Sequence, residues 1–340
     1  MPLEAPGALV VLGAINWDTT VFVRKFAGPG EEVPVNSVEE SPGGKGANAA
    51  VAAARILGPD NVAIIGALGD DATSDSLRRS LRSEGVTDTG IAILRRTPSG
   101  RAYIVVDGHG GKVIHTLFGA NEKLRPDHLQ SSGAKKALSS ARTVLVMDVP
   151  TTVALAAARR AKGVGASVIY SPGVRSSLGL KALEEVIRLA DVLVIDRSEL
   201  SNLSGPQDPA GAASNLHLMY PGLTVVATLG PLGCVVVLHG NLSVLHGVDL
   251  ADLGMRAVNS TGSGDAFLGA FTSYRMLGRP YLEAAQLGNL AGALNATRSE
   301  TRGSPGRVEL ERTMEALSRV KQSRQGLPSK RASSRYRQRS

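Results

Sequence analysis

Residues 143–170 read TVLVMDVPTTVALAAARRAKGVGASVIY and alternate between two kinds of segment. The runs Thr143–Met147 and Ser167–Tyr170 are apolar and have the length of buried strands. The Ala-rich segment Thr152–Lys162 lies between them and has the length of a helix. A strand, a helix and a second strand in this order predict a parallel sheet that is covered by helices.

The same alternation extends in both directions along the chain. The other strands predicted for this sheet are Ala8–Ala14, Asn61–Leu68, Val192–Ile195 and Leu223–Thr228. The other predicted helices are Gly46–Leu57, Ala72–Glu84, Ser177–Leu189, Gly264–Leu277, Tyr281–Thr297 and Glu309–Val320, with a short one from Ser198. The fold class that follows is α/β, with a central, mostly parallel sheet flanked by helices on both faces.

Residues 19–42 and 99–118 do not fit this alternation. The first segment is polar and punctuated by Pro and Gly. The second contains the runs Arg101–Val106 and Lys112–Leu117 on either side of a Gly-rich turn, which is a hairpin signal. We expect the two segments to form a small β lid, inserted into a single domain that spans residues 1–318.

The positive charge of the protein is concentrated at its C-terminal end. The formal net charge is +8, but residues 319–340 contain eight Lys or Arg and no Asp or Glu, which leaves 30 basic and 30 acidic residues elsewhere. Because this tail lacks apolar periodicity, we expect it to be disordered and solvated, and a contact with RNA through it stays open. Only 4% of residues are aromatic, which argues against a protein that stacks nucleic-acid bases.

Cysteine content and hydropathy predict a cytoplasmic protein without a membrane span. Cys234 is the only cysteine, so no intramolecular disulfide can form, as in a reducing compartment. No apolar stretch approaches the roughly 18 residues of a spanning helix. The N-terminus also lacks the basic and then apolar order of a signal peptide.

The run Asn259–Phe267 reads NSTGSGDAF and carries the strongest chemical signal. Gly262 and Gly264 flank Ser263 and open an apolar helix, so that consecutive backbone N–H groups at the positive end of the helix can bind phosphate. Asp265 falls in the first helical turn and can accept a proton from an attacking hydroxyl group. Taken alone, the run is equally typical of a glycine turn with Asp at a helix start.

A second glycine-rich run, Ser41–Asn48, reads SPGGKGAN. Lys45 suggests a phosphate-binding P-loop, but the first glycine of that motif and the Ser or Thr after the lysine are both missing. The paired glycines Gly43 and Gly44 let a ligand approach the backbone, and the Asn48 amide can both donate and accept hydrogen bonds, which suits a polyol. A simple helix-entry turn is the alternative.

Polar or turn-forming residues also follow four of the predicted strands. In open α/β sheets, ligands bind beyond the C-terminal strand ends, so these residues are expected at one edge. They are Asn16 and Asp18, Asp148, Asp196 and Glu199, and Gly230. Each of them alone could be a helix cap or a turn residue.

These motifs, in this order and about 220 residues apart, resemble those of the ribokinase family of carbohydrate kinases (the PfkB-type kinases) over roughly residues 8–318. The resemblance implies a ribokinase-like fold and phosphoryl transfer from ATP, with Mg²⁺, to the hydroxymethyl group of a sugar. Residues implied to hold the sugar are Asn16, Asp18, Gly43, Gly44, Asn48 and Asp148. Asp265 is implied as the catalytic base, and Gly262, Ser263 and Gly264 as the anion hole. Residues implied on the nucleotide side are Asp196, Thr228, Gly230 and Asn289, with Glu199 near Mg²⁺.

Three departures from the family pattern limit what the resemblance implies. Asn259 stands where ribokinases carry an Asp that helps to hold a monovalent cation, which leaves K⁺ dependence open. Asp196 replaces the Asn of an Asn-x-x-Glu motif, and Glu300-Thr301 replaces a Gly-Ala pair near the adenine and cation site.

The resemblance implies conversion of D-ribose to ribose 5-phosphate as the reaction. A nucleoside kinase or a phosphosugar kinase of the same superfamily is an alternative, and a sugar-binding regulator without turnover is an alternative of another class. An exposed face of the lid sheet often serves as a dimer surface in ribokinases, which implies a homodimer.

Overall fold

The strands form two sheets in the computed structural model, which describes residues 9–109 and 111–325, the last six without their side chains. In chain order they are β1 (Leu9–Gly13), β2 (Asn16–Val23), β3 (Val35–Gly43), β4 (Val62–Gly69), β5 (Val86–Leu94), β6 (Gly100–Val106), β7 (Lys112–Leu117), β8 (Thr143–Met147), β9 (Ser167–Ser171), β10 (Val192–Asp196), β11 (Thr224–Thr228), β12 (Gly233–Leu238) and β13 (Asn241–His246). The central sheet has nine strands in the order β13-β12-β11-β10-β9-β8-β1-β4-β5. Every neighbouring pair from β11 to β5 is parallel, whereas β12 is antiparallel to both β11 and β13.

Helices cover both faces of the central sheet. They are α1 (Lys45–Leu57), α2 (Ala72–Ser83), α3 (Ser132–Ser139), α4 (Thr151–Gly163), α5 (Leu180–Leu189), α6 (Arg197–Ser204), α7 (Pro209–Met219), α8 (Ser263–Met276), α9 (Tyr281–Ala296) and α10 (Arg307–Gln325). Apolar residues of α3 to α7 pack in one core on one face, and those of α1, α2, α8, α9 and α10 pack in a second core on the other. The predicted α/β class, with a mostly parallel sheet between two helical layers, is confirmed.

Strand β1 shows why an uninterrupted apolar run forms the middle of such a sheet. Val10 and Leu12 point into one core, and Leu9 and Val11 point into the other. All four side chains are fully buried, because successive residues of a strand face opposite sides and both sides are covered here. Truncating one of these leucines to Ala is expected to cost about 2–5 kcal/mol of folding free energy.

A four-stranded sheet in the order β3-β2-β6-β7 forms the lid. Strand β2 is antiparallel to β3 and parallel to β6, and β6 and β7 form the expected hairpin. The lid strands reach further than the sequence suggested, because β2 starts at Asn16 and β3 ends at Gly43. Asn16 and Asp18 therefore lie on a lid strand rather than in a loop after β1, with Asn16 paired to Gly43 and Asp18 to Ser41.

The last helix extends into the segment predicted to be a disordered tail. Helix α10 continues to Gln325 and so includes residues 319–325. Residues 307–325 contain no Gly or Pro, so no helix-breaking residue ends the helix before Gly326. Residues 326–340 of the predicted tail lie outside the described residues. None of the helices in the described ranges is long and apolar enough to cross a membrane.

Candidate active site

The buried side-chain amide of Asn121, which follows the lid hairpin in the chain, fixes the backbone around Asn16. Asn121 accepts a hydrogen bond from the Ile15 N–H at 3.0 Å and donates from Nδ2 to the Ile15 carbonyl at 3.1 Å. The same Nδ2 donates to Asn16 Oδ1 at 2.9 Å. Because Asn16 Oδ1 already accepts this hydrogen bond, the Asn16 Nδ2 group is available to donate to a ligand.

Asp18 lies two residues after Asn16 on β2, in the same pocket. Its side chain is buried, and within the described residues its Oδ1 atom has no hydrogen-bond partner. Burial raises the pKa of Asp18 to about 7, while Arg302 lowers it and Asp265 raises it. A buried acceptor without a partner is costly, so this oxygen is placed to accept a hydrogen bond from a ligand hydroxyl.

The two glycines before α1 are required by close packing. A Cβ atom on Gly43 would lie 2.0 Å from Asp18 Oδ2, and one on Gly44 would lie 2.5 Å from the Asn16 backbone nitrogen. Gly44 also has a φ of +91°, a conformation that side chains disfavour. These positions therefore accept only glycine, and they bring the start of α1 against the predicted sugar-binding strand.

A direct hydrogen bond joins the two predicted motifs. Asn48 Nδ2 on α1 donates to Asp265 Oδ2 on α8 at 2.8 Å, although the residues are 217 positions apart. Helices α1 and α8 can approach this closely because a glycine, Gly269, faces the Ala49 carbonyl and the Ala52 side chain. The candidate base and the candidate sugar ligands consequently share one site.

Asp265 combines a raised pKa with a half-satisfied carboxyl group. Burial of the carboxyl raises the pKa of Asp265 to about 6, against the lowering effects of the Asn48 hydrogen bond and of Lys45 and Arg302. Asp148 adds a further raising effect. Within the described residues, Oδ2 is held by Asn48 and Oδ1 accepts no hydrogen bond. A carboxylate with a pKa near 6 and one available oxygen can act as a general base near neutral pH.

The N-terminus of α8 presents backbone N–H groups beside this carboxylate. Gly262 has a φ of +79°, and a Cβ atom there would lie 2.1 Å from the Thr301 carbonyl oxygen. The Ser263 N–H donates to the Ser260 carbonyl at 3.3 Å, whereas within the described residues the Gly264 and Asp265 N–H groups donate to no backbone oxygen. Such unpaired amides at a helix start can bind an anion.

Asp148 is held in an unusual conformation directly after β8. Its φ is +51°, which is uncommon for a residue other than glycine and is found mainly where a site requires it. The side chain is buried, Oδ2 lies 3.7 Å from Lys45 Nζ, and Oδ1 has no partner within the described residues. Asp148 and Asp18 thus both offer an unpaired oxygen to a ligand.

A pocket of about 240 Å³ lies on the other side of the α8 N-terminus. Its lining includes five residues predicted for the nucleotide and the anion hole, namely Thr228, Gly230, Asn289, Ser263 and Gly264. The remaining walls are small or apolar, as in a site for a flat ring. Asn289 Nδ2 donates to Cys234 Sγ at 3.5 Å, and the buried Cys234 is part of the core below the pocket.

Asp196 and Glu199 form a capping box at the start of α6. The Glu199 N–H donates to Asp196 Oδ1 at 2.8 Å, and the Asp196 N–H donates to Glu199 Oε2 at 3.2 Å. Burial and the charge of Asp196 raise the pKa of Glu199 to about 7, and Lys45 opposes this. The Asp196 side chain therefore caps the helix, which is the alternative that the sequence left open for this residue.

The acidic residues near the site do not form a cluster of metal ligands. Among the described residues, no group of three or more His, Cys, Asp or Glu side chains is arranged to hold a metal ion. Mg²⁺ usually keeps several water ligands and binds through one or two carboxylates together with substrate phosphates. The carboxylate of Glu199, with the charges of Asp196 and Asp148 nearby, fits an ion that enters with a nucleotide.

Asn259 ties the anion-binding loop to the segment after α9. Its Nδ2 donates to the Ser299 carbonyl at 2.8 Å, and its Oδ1 accepts from the Thr261 N–H at 2.9 Å. Both ends of the amide are thus engaged with protein atoms, which supports the geometry of the loop.

Two cationic residues of the site were missed by sequence reasoning. Arg302 donates to Asn48 Oδ1 at 3.0 Å, and Lys112 on β7 reaches Ser260 Oγ and Thr261 Oγ1, each at 3.3 Å. Arg302 lies in a loop and Lys112 in an exposed strand, and neither belongs to a motif with a known chemical role. Only the folded chain brings them to the site.

Comparisons with known proteins agree with this arrangement. The family described as "pfkB family carbohydrate kinase" matches residues 7–306. Ribokinase from Haemophilus influenzae is 31% identical over 302 residues, covering 87% of this chain and 94% of that protein. An ATP-dependent ribose-1-phosphate kinase from Halopiger xanaduensis is 29% identical, covering 86% and 93%.

A solved structure extends the comparison to the fold. Arabidopsis thaliana ribokinase complexed with ribose and ATP is 25% identical and superposes with a TM-score of 0.80, covering 92% of this chain and 99% of that one. The sequence match covers both sheets, and the glycine-flanked helix start lies beside the carboxylate of Asp265. The chain therefore belongs to the pfkB family of carbohydrate kinases.

Proposed function

We propose that this kinase uses ATP to phosphorylate D-ribose at its hydroxymethyl group, giving ribose 5-phosphate. The observation that carries the proposal is the hydrogen bond between Asn48 and Asp265, because it joins the proposed base to a proposed sugar-binding residue. The same helix start carries two unpaired backbone amides for the phosphoryl group. Similarity to ribokinases over most of the chain supports ribose as the sugar.

In the proposed reaction, the sugar lies between the lid sheet and α1. Asn16, Asp18 and Asp148 bind its ring hydroxyls, and the hydroxymethyl oxygen faces Asp265 Oδ1. Asp265 takes the hydroxyl proton as the oxygen attacks the terminal phosphorus of ATP in line, and the bond from that phosphorus to the ADP oxygen breaks. The two unpaired amides, those of Gly264 and Asp265, stabilise the negative charge on the transferring group.

The nucleotide is proposed to lie in the pocket lined by Thr228, Gly230 and Asn289. Glu199 would hold Mg²⁺ through water, with Asp196 adding negative charge nearby. When bound, Mg²⁺ neutralises the charge of the nucleotide phosphates. The Lys45 ammonium group adds a positive charge on the acceptor side of the same phosphates.

We propose that catalysis does not require K⁺. Asn259 carries no charge, and both of its polar ends already bond to Ser299 and Thr261. These two hydrogen bonds fasten the loop without an ion. Activity that is equal in Na⁺ and K⁺ buffers supports this proposal, and activity that rises steeply with K⁺ contradicts it.

A substrate panel tests the function. Purified protein is incubated with Mg²⁺-ATP and, separately, with D-ribose, other sugars, ribose 1-phosphate and nucleosides, and ADP release is measured. The proposal expects the highest kcat/KM with D-ribose. A preference for nucleosides or for ribose 1-phosphate assigns the enzyme to another acceptor, and sugar binding without turnover identifies a regulator.

Replacing the base tests the mechanism. Asp265→Asn keeps the size of the side chain and its place beside Asn48, but it cannot accept the proton. We expect kcat to fall by about 10²–10⁴-fold, the usual contribution of a general base, with an unchanged unfolding midpoint. Turnover at the wild-type rate would remove Asp265 from this role.

We propose further that the protein forms a homodimer through the lid sheet. Strand β7 is exposed along its whole length. Several apolar side chains on the lid are also exposed to solvent. They are Val35, Val38, Tyr103, Val113, Ile114 and Leu117. An apolar patch of this kind is typical of an interface between proteins.

Light scattering during gel filtration tests the dimer. Val113→Asp places a charge on the lid face where Val38, Tyr103 and Leu117 also lie, and it is expected to give a monomer. The matched control is Leu218→Asp, which charges another exposed apolar residue outside the lid and is expected to leave the mass unchanged. A monomeric wild-type protein at micromolar concentration would contradict the proposal.

A further inference from the structure

Arg302 makes three hydrogen bonds that converge behind the sugar pocket. Its Nε donates to Asn48 Oδ1 at 3.0 Å, its Nη1 to Ser80 Oγ at 2.9 Å and its Nη2 to the Gly43 carbonyl at 3.1 Å. The three acceptors belong to α1, to α2 and to the end of β3. One guanidinium group thus joins both helices and the lid strand at the wall of the site.

This geometry leaves the Asn48 amide only one orientation. A guanidinium group can donate hydrogen bonds but cannot accept them, so the Asn48 atom that faces it must be the oxygen. The Nδ2 group is then directed to Asp265 Oδ2, to which it donates at 2.8 Å. Arg302 thereby holds the Asn48 amide in the orientation that donates to Asp265.

The charge of Arg302 acts on the same carboxylates. It lowers the pKa values of both Asp18 and Asp265 against the effect of burial, and burial in turn lowers the pKa of Arg302 to about 10. The charged groups that act on Asp265 are Lys45, Asp148 and Arg302, and those that act on Asp18 are Arg302 and Asp265. Those that act on Arg302 are Asp18, Glu84, Arg55 and Asp265.

We propose that Arg302 is a positioning residue for phosphoryl transfer, which orients the Asn48 amide toward Asp265. The proposal rests on the function proposed above, since it assigns Asp265 the role of base. It gives the segment between α9 and α10 a part in the reaction that no sequence motif of the chain indicates.

The pH dependence of kcat separates this role from a structural one. Arg302→Met removes the charge and the contact to Asn48. We expect kcat to fall by about 10–100-fold and the acidic limb of the kcat profile to move upward by about 0.5–1 pH unit, because an Asp that loses a nearby cation binds its proton more tightly. Arg302→Lys keeps the charge and is expected to restore the position of the limb but only part of kcat.

A double-mutant comparison tests whether Arg302 acts through Asn48. If it does, Arg302→Met should lower kcat much less in an Asn48→Ala background than in the wild type. Arg307→Gln is the matched control, because it removes a nearby Arg that lies at the start of α10 and pairs with Glu311 on the same helix. It is expected to leave both kcat and the pH limb in place.

The titration of the Asp265 carboxyl, followed by ¹³C NMR in wild type and Arg302→Met, needs no turnover. It therefore tests the inference even if the substrate panel overturns the proposed function. An unchanged Asp265 titration, or a fully additive loss of kcat in the double mutant, overturns the role of Arg302. A higher Asp265 pKa with a non-additive loss supports it.

Discussion

Position 43 shows how tightly single residues define the sugar site. We predict that Gly43→Ala impairs sugar binding, because the added methyl group would lie 2.0 Å from Asp18 Oδ2, well inside contact distance. Either the carboxylate or strand β3 must move. The expected result is an increase of about 10-fold or more in KM for the sugar, from the loss of about 1.4 kcal/mol or more, with a smaller effect on KM for ATP.

Gly163→Ala is the control for this prediction. Gly163 ends α4, and a Cβ atom there would meet no other atom within 4 Å. The control should bind both substrates like the wild type and be slightly more stable, because Ala is the better helix former. Equal sugar KM values for the two variants would show that Asp18 does not contact the sugar.

At the residue scale, the site residues that the sequence indicated belong to motifs, and their roles stay predictions. Gly43, Asn48 and Asp265 have side chains or conformations that suggest chemistry at their own positions. The contribution of Arg302 depends on where its loop folds, and a lone Arg after a helix gives no sign of its partners. For Asp196 the sequence left both a helix cap and a ligand contact open, and the structure shows the cap.

Among the elements, the lid hairpin makes a contact that suggests how it closes. Lys112 at the start of β7 reaches two hydroxyl groups of the anion-binding loop, those of Ser260 and Thr261. We predict that Lys112→Met loosens the lid, so that amide hydrogen exchange of residues 112–117 becomes several-fold faster in the presence of both substrates. Mass spectrometry of exchanged peptides provides the measurement.

His115→Ala is the control for the lid prediction, since His115 lies on the same strand with its side chain exposed. Its exchange pattern should match that of the wild type. If Lys112→Met exchanges no faster than this control, the contact does not hold the lid over the site.

Element boundaries were predictable where one physical pattern dominates. The strand Thr143–Met147 was placed correctly because an apolar run buried on both faces has a distinct composition. Strand β5 was missed, since Asp88, Thr89 and Gly90 interrupt it. Asp88 is nevertheless buried, and its charge is balanced by Arg78 and Arg82, a pairing that is not visible in the local sequence.

For the molecule as a whole, the raised carboxyl pKa values predict an unusual dependence of stability on pH. Burial raises the pKa of Asp18 to about 7, that of Glu199 to about 7 and that of Asp265 to about 6. A carboxyl with a raised pKa binds more protons in the folded state, so its contribution to stability is largest below the unfolded pKa. That contribution is lost as the pH rises through the folded value.

We therefore expect the ligand-free protein to lose stability between about pH 5 and pH 8, by an amount on the order of 1 kcal/mol or more. Asp18→Asn should reduce this loss, because it removes one of the three groups. Urea unfolding at both pH values measures the difference. A wild-type protein that is more stable at pH 8, or a variant with an unchanged difference, would contradict the assignment.

The overall architecture was predictable because alternating strands and helices allow few arrangements. A parallel sheet needs helices on its faces, and those helices bring all strand ends to one edge. The alternation could not place β2 and β3, which are polar or largely exposed and lack the apolar signal of the core. The hairpin signal did place β6 and β7, because a Gly-rich turn separates their two runs.

The hydrogen bond between Asn48 and Asp265 also joins two parts of the chain with different proposed ligands. Proposed sugar contacts come from residues 16–148, and proposed nucleotide contacts come from residues 196–289. Mutations in the first half can therefore alter the choice of acceptor without touching the donor pocket. A lineage that inherits this scaffold can acquire a new sugar by changing one half of its gene and retain its phosphate donor through the other.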